Sequence, residues 1–342
     1  MADLLSRFQG CLLGGAIGDA LGMPVETMTH EEIMVLNNGQ GVIDFMDPVQ
    51  RKFKDAAKLP AGATTDDTQL TIIVAESLIH SGGTLDINDC AQRHVEEWRK
   101  NHMTWGGSTR SAIAEIAEGK RDPKTPPAVT EKTGLGNGVA MKIAPLGLLA
   151  SNPHRLDDGN LALFRECCEL GYITHGDPRA SIAAFAVADT IRFILQKGIN
   201  QSLYGGIWGC LENTIVRTTL AEDFVGRPRW DKNEVSERLR LILSGIDDPD
   251  KLRENVGCGF TSLETAPFTL GTFMRHPTDF RAGILEAVNA GGDADTNAAI
   301  VGNLIGANLG IEGIPPTWIK QFPARDEILG VANRLFEIST SN

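Results

Sequence analysis

Three short stretches carry acidic residues in settings that suit chemistry. Asp19 and Glu26 lie in "GDALGMPVE" (Gly18–Glu26), Asp66 and Asp67 in "TTDDTQL" (Thr64–Leu70), and Asp293 and Asp295 in "NAGGDADT" (Asn289–Thr296). The last pair stands directly in front of Ala298–Gly310, an apolar, glycine-striped run with the composition of a buried helix. Two negative charges so close together at the mouth of a buried element repel each other, and something must hold them there.

Two answers are open. In the first, the acids cap helices: Asp66 followed by Gln69 resembles a capping box, and Asp293 or Asp295 is the N-cap of its own helix. Capping explains one acid per helix start, but neither a second carboxylate beside it nor the threonine adjoining each pair. In the second, Thr65, Asp66, Asp67, Asp293, Asp295 and Thr296 hold divalent metal. Carboxylates and hydroxyls without cysteine, in a chain with few histidines, suit Mg²⁺ or Mn²⁺ rather than zinc. Four carboxylates neutralise two such ions, and helix N-termini favour the negative charge.

The elements that must position these residues are helical. The chain has 342 residues, 42% of them hydrophobic, with only two tyrosines. Leu, Ala, Glu and Ile recur at helical spacing, and alternating β-branched runs are scarce. A first helix is expected over about Asp3–Leu21, with Gly10, Gly14, Gly18 and Gly22 along it at every fourth position. A glycine in a helix interior costs about 1 kcal/mol relative to alanine, and close approach of another backbone offsets that cost. Gly302, Gly306 and Gly310 repeat the device, so the two helices are expected at the centre, in contact, with the chain ends together. Further helices are expected over Thr68–His80, Ile87–Asn101, Ser108–Glu118, Leu156–Leu170, Pro178–Gln196, Gln201–Asn213, Val235–Leu243, Leu263–Met274, Asp279–Val288 and Arg325–Ile338. Pro145 is expected to kink a segment from Gly138 to Ala150. Asn37–Gly62, Asp122–Gly138 and Ala221–Asp231 read as loops. Nothing marks a domain boundary, and one compact α-domain over residues 1–342 is the simplest account.

The formal charge of −12 opposes a nucleic-acid surface, while helix N-termini and glycine loops leave room for a small phosphorylated ligand. Six scattered cysteines form no C-x-x-C and read as buried thiols in a reducing compartment. No apolar run reaches the roughly 18 residues of a membrane span, so a soluble cytoplasmic protein is expected.

The motifs G-x-x-x-G-D-A-L-G-x-P-x-E (Gly14–Glu26), T-D-D-T (Thr65–Thr68) and G-G-D-A-D-T (Gly291–Thr296) resemble those of the ADP-ribosylglycohydrolase family. "GNGVAMKIAPLG" (Gly136–Gly147), "THGDPRA" (Thr174–Ala180) and "IPPTW" (Ile314–Trp318) extend the resemblance, in order, over nearly the whole chain. It implies an all-α orthogonal helical bundle with a binuclear Mg²⁺ site at helix N-termini. It implies cleavage of the glycosidic bond between ADP-ribose and an acceptor on a protein or small molecule, with release of ADP-ribose. Thr65, Asp66, Asp67, Asp293, Asp295 and Thr296 would be the metal ligands, and Glu26, Asp66 and Asp67 the catalytic residues. Glu26, on a loop past the first helix and free to move, would act as acid or base.

Asn137, Gly138 and His175 would line the substrate cleft, His175 as a hydrogen-bond donor rather than a turn residue. Gly107 and Ser108 in "TWGGST" (Thr104–Thr109) would face the diphosphate. Asp177 is expected to open the helix at Pro178, and Asp19 to support the metal ligands. Trp98, Trp105 and Trp208 read as core. Likeness to dinitrogenase-reductase-directed members favours arginine as acceptor. A two-metal phosphohydrolase and a non-catalytic, crystallin-like ADP-ribose binder are the competing readings.

Overall fold

A computed structural model of the chain describes residues 2–49, 59–130, 133–152, 161–199, 206–226 and 234–341. Its helices are α1 (Leu4–Gly22), α2 (His30–Met34), α3 (Asp66–His80), α4 (Ile87–Lys100), α5 (Gly107–Ala117), α6 (Ala144–Leu149), α7 (Ala162–Tyr172), α8 (Pro178–Lys197) and α9 (Ile207–Phe224). They continue with α10 (Val235–Arg240), α11 (Ile242–Gly245), α12 (Pro249–Val256), α13 (Ser262–Arg275), α14 (Phe280–Asn289), α15 (Ala294–Leu309), α16 (Pro316–Gln321) and α17 (Arg325–Thr340). Among the described residues the only β pairing is isolated bridges, so the fold is all-α as expected.

The two glycine-ridged helices, α1 and α15, pack antiparallel in the centre. A methyl group added at Gly10 would sit 2.5 Å from the Gly306 carbonyl oxygen, and one at Gly14 would sit 2.5 Å from that of Gly302. Gly18 and Gly22 lie in the same way against Ala298 and Ala294. The backbones therefore touch along four turns, which is the offset the glycines require. Buried Arg7 fastens the far end, donating from Nε to the Ala307 carbonyl (2.7 Å) and from a terminal nitrogen to that of Leu195 (3.1 Å). These carbonyls belong to the last turns of α15 and α8, which lack helical donors of their own. α17 closes over α1, with Phe336 edge-on to Phe8 at 5.5 Å.

Several boundaries differ from expectation for local reasons. Pro145 does not kink a helix; it sits in the first turn of α6, where its missing N–H costs nothing. α9 runs on to Phe224, through the start of an expected loop. The segment expected as one helix over Val235–Leu243 breaks into α10 and α11. α2, α12 and α16 were not anticipated. The expected helix starts at Leu156 and Gln201, and parts of the loops over Asn37–Gly62, Asp122–Gly138 and Ala221–Asp231, lie outside the described residues. No described helix is long and apolar enough to cross a membrane.

Candidate metal centre and cleft

Because α1 and α15 run antiparallel, the C-terminal end of α1 lies at the N-terminus of α15. Asp19, fully buried on α1, turns its carboxylate to the start of α3. It accepts from the Thr65 N–H (3.0 Å), the Thr68 N–H (3.1 Å) and the Thr68 hydroxyl (2.6 Å). Burial pushes Asp19 up to about 6, against the lowering effect of those bonds. All three acidic stretches thus converge at two helix N-termini.

The capping reading holds for the position of Asp293 but not for Asp66. Thr65, not Asp66, is the N-cap of α3, and its Oγ1 accepts from the Asp67 N–H (3.4 Å). Gln69 completes no capping box, because its Oε1 accepts from Trp105 Nε1 (3.0 Å). Asp293 occupies the N-cap position of α15 without a side-chain capping bond; its Oδ2 accepts instead from Asn137 Nδ2 (2.6 Å). Asp295 Oδ1 accepts from the Thr296 N–H (2.9 Å).

The structure brings the acids and threonines together. The hydroxyls of Thr65 and Thr296 lie 3.1 and 3.3 Å from Asp67 Oδ2. Asp67 Oδ1 is buried and has no hydrogen-bond partner among the described residues. Glu26, Asp293 and Asp295 each place one carboxylate oxygen within 4.8 Å of the others. Burial, then the charges of Asp295, Asp19, Asp66 and Asp293, raises Asp67 well above the usual carboxylate range. Burial also pushes Asp66 up to about 7, with the Gly106 N–H opposing and the Glu26 charge adding. An orphaned carboxylate oxygen among repelling acids and hydroxyls fits a hard divalent cation.

Glu26 lies past α1, at the end of the short Met23–Val25 turn, yet it is only 5% exposed. The expected open loop is not what the structure holds: the residue is buried, and backbone bonds tie down the chain that follows. The Thr27 N–H donates to the Gly292 carbonyl (2.8 Å), and the Gly292 N–H to that of Met28 (2.9 Å). Thr27 itself has a φ of 74°, strained for a β-branched residue. Glu26 is therefore held beside Asp293 by the segment that carries Asp293.

Above the acids opens a cleft of about 560 Å³. Glu26, Asp66, Asp67, Asp293, Asp295 and Thr296 line it, with Gly107, Ser108, Asn137, Gly138 and His175 around them. Thr65 does not reach the cleft wall and sits behind Asp67, bonded to Asp19. Gly107 begins α5, and a methyl group added at Gly106 or Gly107 would meet no described residue within 4 Å, so this helix N-terminus opens on the cleft. Asn137 is braced by Thr265 Oγ1 (2.8 Å). His175 Nδ1 lies 2.9 Å from Thr174 Oγ1, and burial, with the Lys142 charge adding, lowers it to about 3. Asp177 caps α8 as expected, accepting from the Arg179 N–H (2.9 Å).

Sequence reasoning missed Thr265, a single hydroxyl with no local signal, and the wall residues Val129, Arg179 and Phe260. Arg179 did carry a signal, lying inside "THGDPRA" and pairing with Asp177 at 2.7 Å. Trp105 is core, as expected, but it also borders the cleft.

An all-α bundle that turns a set of carboxylates and hydroxyls to the floor of a cleft has the makeup of a metal-dependent hydrolase. The family model for ADP-ribosylglycohydrolase matches residues 1–342, and the chain belongs to that family, whose enzymes hydrolyse ADP-ribose linkages. ADP-ribosyl-[dinitrogen reductase] glycohydrolase from Rhodospirillum rubrum is 26% identical, over 94% of this chain and 92% of its own. ADP-ribosylarginine hydrolase Tri1 from Serratia proteamaculans is 25% identical, over 98% of this chain and 80% of its own. A solved structure described as an ADP-ribosylglycohydrolase-related protein complex superposes with a TM-score of 0.69 at 28% identity, covering 99% of this chain and 100% of that one.

Proposed function

We propose that this chain is a magnesium-dependent hydrolase of ADP-ribosyl-arginine linkages, acting as one domain in the cytoplasm and releasing ADP-ribose. The observation that carries the metal reading is Asp67 Oδ1, a buried carboxylate oxygen without a partner among the described residues, amid other carboxylates. Thr65, Asp66, Asp67, Asp293, Asp295 and Thr296 would hold two Mg²⁺ ions, with Mn²⁺ as a substitute, and Glu26 lies close enough to join them. When bound, the ions would neutralise the acids, orient ribose hydroxyls and make a water more acidic. The arginine acceptor rests on the likeness to the arginine hydrolase and on the motifs shared with the dinitrogen-reductase enzyme.

The chain's own residues supply the rest. The N-terminus of α5 at Gly107 and Ser108 offers N–H groups to the diphosphate without a basic patch, in keeping with the net charge of −12. Asn137, fixed by Asp293 and Thr265, marks the wall next to the acids. Gly138 leaves room for the His175 ring, which a methyl group there would meet at 2.7 Å, and His175 donates to substrate. Glu26 transfers a proton at the leaving group or the attacking water as the oxocarbenium-like state is passed.

The test is purified protein offered arginine-linked and serine-linked ADP-ribose with Mg²⁺, Mn²⁺ or EDTA. Free ADP-ribose is expected from the arginine linkage, and none in EDTA. Release from serine alone overturns the acceptor, AMP as product overturns glycosidic cleavage, and full activity in EDTA overturns the metal.

A further inference from the structure

Lys142 lies outside the cleft, but a single hydroxyl separates it from one of the cleft's side chains. It is fully buried, and its Nζ donates to Thr174 Oγ1 at 2.9 Å. The same oxygen lies 2.9 Å from Nδ1 of His175, and both of those residues are buried as well. An ammonium group has only protons to give, so Thr174 Oγ1 accepts from Lys142. The hydroxyl has one proton, and among the described residues its acceptor is His175 Nδ1. A proton on Nδ1 would leave the Thr174 hydroxyl proton buried with no acceptor, which folded proteins avoid. The count of donors and acceptors therefore assigns the imidazole: Nδ1 accepts and Nε2 carries the hydrogen.

The Nε2 edge faces the glycines that flank Asn137. A methyl group added at Gly136 would sit 3.1 Å from His175 Nε2, so the glycine leaves that edge uncovered. Among the described residues nothing accepts from Nε2, and the residue lines the cleft. We propose that Lys142 and Thr174 are positioning residues that lock His175 in its Nε2–H form, so that this cleft wall presents a permanent hydrogen-bond donor to an oxygen of the ligand. The ligand's identity as ADP-ribose rests on the function proposed above; the tautomer does not. Because burial keeps the ring neutral, it has one N–H to offer, and Lys142 decides from inside the core which edge offers it.

The test is long-range ¹⁵N–¹H spectroscopy of the full chain with ¹⁵N-labelled histidine, His175 being assigned with His175→Gln. The wild-type ring is expected as Nε2–H at pH 7. Thr174→Val keeps the shape and removes the hydroxyl; it should move the Nδ1 resonance, populate the second tautomer and weaken ADP-ribose binding about tenfold. Thr174→Ser should restore both readouts, and Lys142→Met should also populate the second tautomer. Melting temperatures show that each variant is folded. An Nδ1–H ring in the wild type, or an Nδ1 resonance unmoved in Thr174→Val, overturns the proposal. The expected spectra with no ADP-ribose binding in any variant would support the positioning relay and remove only the ligand assignment.

Discussion

The carboxylate of Asp19, on one helix, takes the N–H and the hydroxyl of Thr68, in the first turn of another, at 3.1 and 2.6 Å. A residue 49 positions away thus caps α3 from outside, at the same first turn that carries Asp66 and Asp67. Asp66, Asp67 and Asp295 are thus carried on packed helices, while Glu26, Asn137 and His175 lie on the connecting segments.

Asp19→Asn tests that cap. The carboxylate has the N–H and hydroxyl groups of both Thr65 and Thr68 around it, and an amide nitrogen in its place would face donors with donors. Loss of about 2–3 kcal/mol is expected in metal-free protein by chemical denaturation, the cost of buried donors left unmatched. A loss below about 0.5 kcal/mol, within the range of an ordinary surface change, would show that Thr65 alone caps α3.

Gly14→Ala sets helix propensity against packing. Alanine gains about 1 kcal/mol in a helix interior. Its methyl group, however, would sit 2.5 Å from the Gly302 carbonyl oxygen and 2.9 Å from the Phe280 ring. Overpacking of that kind costs about 1–3 kcal/mol or more and should win. Gly330→Ala, on α17 with no described residue within 4 Å of the added methyl, is the control and should stabilise the protein. Equal stability of the two variants would contradict the central pairing of α1 and α15.

That pairing was legible in the sequence because an i, i+4 glycine ridge is expensive unless another backbone lies on it. Once α1 and α15 are paired, the acids at their ends meet, so the core of the candidate centre was legible too. What could not be read depends on distant partners. Asp66 and Gln69 have capping-box spacing, and only the fold shows Trp105 taking Gln69. Pro145 reads equally as a kink or a first-turn residue until the helix start is known. Lys142 stands in the apolar run "VAMKIAPLG" with no local sign that its charge is buried against Thr174. α12 and α16 open on Asp-Pro and Pro-Pro, but each is too short to show a period.

His94 gives a pH dependence of defined sign. It is fully buried, and burial, with Lys142 adding, lowers it to about 3 from an ordinary 6.5. Below pH 6.5 the unfolded chain takes up a proton that the folded one refuses, so this residue's contribution to stability falls as pH drops toward 3. The stability difference between wild type and His94→Gln should shift in favour of the variant by about 1.4 kcal/mol per pH unit below 6.5. Taking the difference removes the opposite-signed contribution of the raised carboxylates. A difference that stays constant from pH 7 to 5 would mean that the imidazole protonates inside the fold.

Asp295→Asn separates capping from metal binding. Asn keeps an acceptor for the Thr296 N–H, so capping alone predicts a change of at most about 1 kcal/mol in metal-free protein and unaltered metal content. Removal of one charge from the acidic group should instead cut Mg²⁺ affinity at least tenfold by calorimetry and abolish the rise in melting temperature that Mg²⁺ gives. A variant that binds Mg²⁺ as the wild type does takes Asp295 out of the ligand set.

Glu26→Gln asks whether the pinned carboxylate moves protons or only holds metal. Its oxygen shares a 4.8 Å group with those of Asp293 and Asp295, so either role is within reach. The amide keeps an oxygen for a cation and the backbone bonds through Thr27 and Gly292 that set its place, but it cannot gain or lose the proton. Turnover should fall about 10²–10⁴-fold, the usual contribution of a general acid or base, while Mg²⁺ and ADP-ribose still bind. The loss should differ between arginine and serine linkages, because a guanidine and an alkoxide need protonation to different degrees. If Mg²⁺ binding falls as far as in Asp295→Asn, Glu26 belongs with the ligands. Turnover equal to the wild type's removes it from the chemistry.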